Sequence, residues 1–203
     1  MITQKITVKD VLSEGIGLGI KNSASLLVAS ILWLITSWIP YINVGTTIAM
    51  GTIPIELSKG KIISPTFIFD SKYRRYMGEF FTLIGLMWMA ISPALLFGII
   101  PGIIIYLGWS LSLFILLDKG IAPGEAMVQS NKATYGYKGT IFVIDLVINI
   151  VTCILFFLFI CIPYLGILLN ILLIIAFIVI KLGCSAVIYR NLTAEETKAI
   201  SEV

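Results

Sequence analysis

The chain has 203 residues, of which 59% are hydrophobic and 12% charged, and its mean hydropathy is +1.04. A soluble domain has about twice that share of charged residues and cannot hide so much apolar surface, so we expect the chain to lie in a lipid bilayer. The net charge of +3 does not indicate nucleic-acid binding. Because the chain has no histidine and its three cysteines fit no metal motif, we expect no metal site and no cofactor.

The N-terminal segment is too polar for a secretory signal, since Lys5, Lys9 and Glu14 fall where an apolar region would form. Threonine at position 7 suits a helix N-cap. From there, apolar residues follow a 3.6-residue period with Lys9 and Lys21 on the opposite face. The apolar face carries Val8, Val11, Leu12, Gly15, Ile16, Gly19 and Ile20. We expect an amphipathic helix that lies in the headgroup plane.

Six apolar runs follow, and crossing the hydrocarbon core takes about 20 helical residues. The runs are 23–39, 42–57, 78–99, 102–117, 139–161 and 164–188. The second run is short and contains Gly45, Gly51 and Pro54, and the fourth is also short. Both are retained as membrane spans because the distribution of basic residues requires them.

Basic residues occur in every second connection between these runs. The turns at Pro40, at Pro101 and Gly102, and at Pro163 carry no charge, whereas the alternate connections and both terminal segments are basic. Of the lysines and arginines, only Lys181 lies outside those basic segments. The positive-inside rule therefore predicts a multi-pass protein of the inner (cytoplasmic) membrane with both termini in the cytoplasm.

The layout also indicates an internal repeat, because the three turn prolines stand at nearly equal intervals. The units are about 1–59, 60–120 and 121–190. Ser64-Pro65 and Ala122-Pro123 predict the start of the second and third interfacial helices, since proline suits the first helical position. The predicted fold is all-α: six transmembrane helices in three hairpins, each preceded by a cytoplasmic interfacial amphipathic helix.

Two ionisable residues lie inside the predicted spans, where such groups are costly and mark functional candidates. Asp145 is about 10 Å into the fifth helix and Lys181 about 13 Å into the sixth, at 1.5 Å per residue. Because the two helices are antiparallel neighbours, the residues are candidates for an intramembrane ion pair. A static pair, a part of a polar cavity or proton path, and snorkelling of both side chains to the interface all remain open.

The basic segments are suited to contact with anionic lipid headgroups. The candidate residues are Lys5, Lys9, Lys21, Lys59, Lys61, Lys72, Arg74, Arg75, Lys132 and Lys138. Glu56 and Glu79 stand at cytoplasmic helix ends near Lys59 and Arg75, which predicts salt bridges at the interface.

The stretch PGIIIYLGWSLSLFILLDKGIAPGEAMVQSNKATYGYKGTIF, from Pro101 to Phe142, resembles one known family. That family comprises bacterial and archaeal six-helix membrane proteins of unknown function, related to the membrane domain of some glycerophosphodiester phosphodiesterases. The resemblance lies in the proline-glycine turn and apolar span, then Asp118 with Gly120, then a helix bearing Ala126, Ser130 and Thr134, and then Gly136 or Gly139. These residues contain no phosphodiesterase domain, so the resemblance implies the six-helix fold and no catalytic residues.

No arrangement of residues matches a membrane hydrolase or a phosphate-binding loop. We therefore expect a non-enzymatic protein that binds membrane lipids or a partner membrane protein, as a scaffold, regulator or immunity-type factor. The alternative is a small transporter or permease component. That alternative depends on Asp145, Lys181 and the broken second helix, because discontinuous helices often flank substrate sites.

Overall fold

The computed structural model of the protein describes residues 6–61, 64–163 and 165–201, without the side chains of Pro65 and of residues 194–201. Over these ranges the chain forms helices and turns and no strand, as predicted. The α-helices are α1 Val8–Lys21, α2 Ser23–Thr36, α3 Ile42–Ser58, α4 Met77–Phe97, α5 Ile99–Gly108, α6 Ser112–Lys119, α7 Pro123–Ala133, α8 Lys138–Ile160 and α9 Leu165–Ser201. Two 3-10 helices, Pro65–Phe69 and Ser71–Tyr76, precede α4.

Four helical segments of the described chain are long and apolar enough to cross a membrane. They are Ser71–Phe97, Ile99–Lys119, Lys138–Ile160 and Leu165–Thr193, and the pair α1 and α2, which bends by 80°, counts as a fifth. Helices α2 and α3 have 14 and 17 residues, fewer than the about 20 that a span requires. The structure thus supports four or five spans, and six spans in three hairpins stays a prediction.

Helix α1 begins as predicted, because the Thr7 hydroxyl accepts a hydrogen bond from the backbone N–H of Asp10 at 3.2 Å. Its buried face, however, packs on α9. A Cβ atom at Gly15 would lie 2.7 Å from the Cα of Cys184, and one at Gly19 would lie 3.0 Å from the carbonyl oxygen of Val179. Glycine is required at position 15, and a side chain at position 19 would press on the backbone of α9, because the two helices approach so closely. Protein therefore covers Val11, Gly15 and Gly19 of the predicted apolar face, whereas Ile16 and Ile20 of the same face are exposed.

The second interfacial segment begins as predicted, with Ser64 at the N-cap and Pro65 at the first helical position, but it is 3-10 rather than α-helical. The chain from Pro65 to Tyr76 forms two 3-10 helices separated at Asp70, whose backbone is extended. The Asp70 carboxylate accepts a hydrogen bond from the backbone N–H of Lys72 at 3.0 Å and caps the second of them. Because an aspartate at this position satisfies a free N–H group, it starts a new helix where the first one ends.

The fourth predicted span is interrupted between Gly108 and Ser112, and α7 packs against the interruption. The Ser130 hydroxyl accepts a hydrogen bond from the Leu111 N–H at 3.2 Å and donates one to the Gly108 carbonyl at 2.8 Å. Thr134 also donates to the Gly108 carbonyl, at 3.2 Å. The hydroxyl groups on α7 and at its end therefore satisfy the backbone N–H and C=O groups that the interruption of the fourth span leaves without helical partners.

The outer surfaces of α4 and α8 are strongly apolar and exposed. In α4 only Leu83 is buried, and in α8 the buried residues are Ile141, Ile144 and Ile148, which lie on one face. An apolar surface of this extent is stable only when hydrocarbon or another protein covers it. These surfaces therefore fit contact with the lipid chains.

The predicted turns lie close to the observed ones, with one correction. Pro40 lies between α2 and α3, and Pro163 lies between α8 and α9. Pro101 and Gly102, in contrast, lie in the first turn of α5, and the chain turns at Gly98. A proline is tolerated there because the first N–H groups of a helix have no partner within it.

Candidate functional site

A cleft of about 480 Å³, lined by both polar and apolar side chains, lies at one end of the helical bundle. It lies between the last turns of α3, the 3-10 helix Ser71–Tyr76, the first turn of α4 and the end of α6. Its walls are formed by Thr52, Glu56, Lys72, Tyr73, Arg75, Tyr76, Glu79 and Leu117. The volume is within the range of small-molecule sites, about 300–1,000 Å³.

The floor of the cleft is held in place by aromatic packing. Tyr73 is buried and packs edge-to-face against Phe67, with ring centroids 6.0 Å apart. The Thr52 hydroxyl donates to the carbonyl of Ala49 at 2.7 Å and lies 3.5 Å from the Tyr73 hydroxyl. The hydroxyl of Tyr73 therefore reaches the cleft from a fixed ring.

The rim of the cleft carries charges of both signs. Lys72 forms an ion pair with Asp70 at 3.3 Å, and its ammonium lies over the Tyr73 ring, 4.9 Å from the centroid. The backbone N–H of Lys72 lowers the pKa of the Asp70 carboxyl. Arg75 and Glu79 are exposed and form no ion pair among the described residues. The rim therefore offers one guanidinium and one carboxylate that are unpaired.

The expected pairs of the interfacial glutamates are not the observed ones. Glu56 binds Lys61 at 2.9 Å rather than Lys59. Lys59 instead reaches Asp118 on α6 at 2.5 Å, and the Tyr189 hydroxyl donates to the other oxygen of the same carboxylate at 2.6 Å. This cluster joins α3, α6 and α9 near the cleft, so Lys59 is bound within the protein.

The other predicted lipid-contact residues fall into two groups. Lys9, Lys21 and Lys132 are exposed and form no ion pair among the described residues, whereas Lys5 lies outside them. Arg74 and Lys138 pack on protein: the stem of Arg74 covers Gly45, and the Lys138 ammonium donates to the Asn131 side chain at 2.9 Å. The exposed lysines remain candidates for headgroup contact.

Asp145 and Lys181 lie together, as the sequence predicts. The Lys181 ammonium donates to the Asp145 carboxylate at 2.8 Å, and the two side chains are 31% and 32% exposed. The Phe177 ring lies 5.9 Å from the same ammonium. Because both side chains retain some exposure, the pair is not sealed inside the bundle.

A second, smaller cavity of about 160 Å³ adjoins this ion pair. Ser110, from the interruption between α5 and α6, and Ser185, from α9, contribute to its lining. Sequence reasoning missed both serines, because one serine in an apolar helix produces no periodic signal. The cavity is large enough for a few water molecules, at about 30 Å³ each.

No family model, no curated protein and no solved structure matches this chain. The resemblance to the six-helix membrane protein family therefore stays a prediction. The described residues also contain no cluster of three or more side chains able to hold a metal ion.

Proposed function

We propose that this protein is a non-enzymatic membrane protein of the cytoplasmic membrane that binds phospholipid headgroups in the cleft at the start of α4. In this proposal it acts as a scaffold or regulator, with both termini in the cytoplasm. The three hairpins are α2 with α3, α4 with the interrupted span formed by α5 and α6, and α8 with α9. Because α5 and α6 count as one span, six helical segments enter the membrane. Exposed Lys9, Lys21 and Lys132 are suited to loose contact with further anionic lipids.

The observation that carries the proposal is the position of the cleft beside an exposed apolar helix. Lys72 and Arg75 line it, and a guanidinium is well suited to bind a phosphate group. Leu86, seven residues after Glu79 and therefore on the same face of α4 as the cleft, is 41% exposed. A lipid whose phosphate lies in the cleft can therefore place its acyl chains along the outer surface of α4.

Native mass spectrometry of the protein, extracted gently with surrounding membrane, tests the proposal. We expect one phospholipid to remain bound at fixed stoichiometry. Arg75→Gln combined with Lys72→Gln should lower its retention about a hundredfold, which corresponds to the loss of two charge-assisted contacts at about tenfold each. Lys132→Gln is the control, because Lys132 is exposed and lies outside the cleft: its loss should weaken only the loose attraction of further lipids and leave the one lipid held at fixed stoichiometry. Equal retention in all variants contradicts the proposal.

A small transporter is the second candidate function, and the cavity beside Asp145 and Lys181 favours it. Polar groups beside a discontinuous helix are typical of transport sites. Ser110→Cys, in a background where the free Cys153, Cys161 and Cys184 are replaced by alanine, tests this function through its reaction with impermeant thiol reagents. Access from both sides of the membrane supports transport, whereas access from one side only argues against it.

A further inference from the structure

The carboxylates of the cleft are not explained by a phosphate ligand. Glu56 and Glu79 line the same cavity as Lys72 and Arg75. A carboxylate about 4 Å from a phosphate charge repels it, and the repulsion grows where water is excluded. A site for a purely anionic headgroup gains nothing from two acids in its wall. Charges of both signs instead match a ligand that carries both signs.

The two acids also have free acceptor atoms. Lys61 binds one carboxylate oxygen of Glu56, and the other oxygen has no hydrogen-bond partner among the described residues. Neither oxygen of Glu79 has a side-chain or backbone donor there. The ion pair with Lys61 is exposed and therefore weak, since the lysine side chain is 61% exposed. The cleft thus offers three or more acceptors, and a primary ammonium has three N–H donors.

We propose that the cleft selects a phospholipid whose headgroup carries a primary ammonium beside its phosphate, as ethanolamine lipids do. The phosphate binds Lys72 and Arg75, and the ammonium donates to Glu56 and Glu79. This inference rests on the proposed function and adds the chemical class of the lipid. The occupant is a lipid rather than a free phosphoamine, because the cleft opens beside the exposed apolar surface of α4.

Native mass spectrometry is first applied to the wild-type protein. The micelles contain ethanolamine, glycerol and choline lipids with the same acyl chains. We expect ethanolamine lipid to be retained about fivefold over glycerol lipid, a ratio set by one added charge-assisted contact that is partly screened. We also expect it to be retained over choline lipid, because a trimethylammonium group has no N–H to donate. Soluble phosphoethanolamine should not displace it, and displacement would overturn the lipid as the occupant.

The variant that tests the acids is Glu79→Gln, with Glu125→Gln as its matched control. Both glutamates are the third residue of their helices, α4 and α7, so both face a helix N-terminus, but only Glu79 lines the cleft. We expect Glu79→Gln to reduce the ratio of retained ethanolamine lipid to retained glycerol lipid to between about one and two. Glu125→Gln should leave the wild-type preference unchanged.

Two failures can be told apart. If glycerol and ethanolamine lipids are retained equally, and both depend on Lys72 and Arg75, the amine selection is wrong while headgroup binding stands. If neither lipid depends on Lys72 and Arg75, the proposed function itself fails. An equal change in the Glu79 and Glu125 variants also overturns the selection, because it would reflect a helix-terminus effect.

Discussion

Helices α3 and α8 each form one arm of a helical hairpin, but α3 is surrounded by protein and α8 is exposed along most of its length. In α3, Ile48, Ala49 and Ile53 are fully buried, and the helix packs against α2, α6 and α9. In α8, Ile154 is 61% exposed. An apolar sequence therefore has two possible destinations, the protein interior and the lipid, and composition alone does not distinguish them.

The polar contacts of the two hairpins differ in the same way. Helices α2 and α3 are joined by neutral hydrogen bonds, between the Thr36 and Thr46 hydroxyls at 3.1 Å and from the Trp33 indole to the Thr47 hydroxyl at 3.0 Å. Helices α8 and α9 are joined by the ion pair of Asp145 and Lys181. The hairpin that contains the enclosed helix α3 thus uses uncharged groups, and the hairpin that contains the exposed helix α8 uses charges.

The largest effect should come from a cavity in α3. Ile53→Ala removes a fully buried side chain and should lower the free energy of unfolding by about 3 kcal/mol, through lost burial and the cavity left behind. Ile154→Ala, on the exposed surface of α8, should cost less than about 1 kcal/mol. Unfolding in lipid nanodiscs measures both, and equal losses would remove the distinction between the two helices.

The second effect concerns the ion pair. Asp145→Asn should destabilise the protein by about 2 kcal/mol, below the about 3–5 kcal/mol of a fully buried pair, because both side chains are partly exposed. The double variant with Lys181→Met should lose less than Asp145→Asn alone, since no uncompensated charge remains. A double-mutant cycle measures this coupling, and additive losses would contradict it.

A smaller effect should follow from the hydroxyl pair of the first hairpin. Thr46→Val removes the hydrogen bond to Thr36 at nearly constant volume and should cost about 1 kcal/mol. Thr82→Val is the control, because its exposed hydroxyl donates only to the Gly78 carbonyl of its own helix. Thermal unfolding compares the two, and an equal loss would show that α2 and α3 are not held together by this contact.

The smallest effect is the pH dependence of the Asp70 cap. Hydrogen bonding to the Lys72 N–H lowers the pKa of this carboxyl in the folded protein. Its contribution to stability is therefore present above the ordinary carboxyl pKa and is lost as the pH falls through the lowered value. Asp70→Asn should melt slightly below the wild type near pH 6 and level with it near about pH 2. If the difference in melting temperature between Asp70→Asn and the wild type does not change with pH, the charged Asp70 cap is not its cause.

Local features of the fold were predictable where a single helix determines them. The start of α1 at Thr7 follows from its capping side chain, and Asp145 and Lys181 meet because counting residues along α8 and α9 places them at similar depth. The interruption of the fourth span was not predictable, because Ser130 of a later helix satisfies the freed backbone groups.

The candidate cleft could be predicted only in part. Its basic residues were expected near lipid, but nothing in the sequence brings Thr52 and Glu56 of α3 beside Tyr73 and Glu79. Lys59 and Glu56 were expected to pair, but Glu56 binds Lys61, just beyond the end of the same helix, and Lys59 binds Asp118 of α6. The partner of Lys59 was not predictable, because it depends on how α3 and α6 pack.

By itself, the sequence determined that the chain is helical, apolar and basic at alternate connections. Hydrophobicity, the rise per residue and helix capping are local properties, so they can be calculated for each segment alone. Only the tertiary structure decided that α3 is enclosed by protein, that α1 packs on α9 through Gly15 and Gly19, and that four charged side chains line one cleft. These outcomes depend on the distances and angles between helices. Contacts between side chains that are far apart in the sequence determine those distances and angles together.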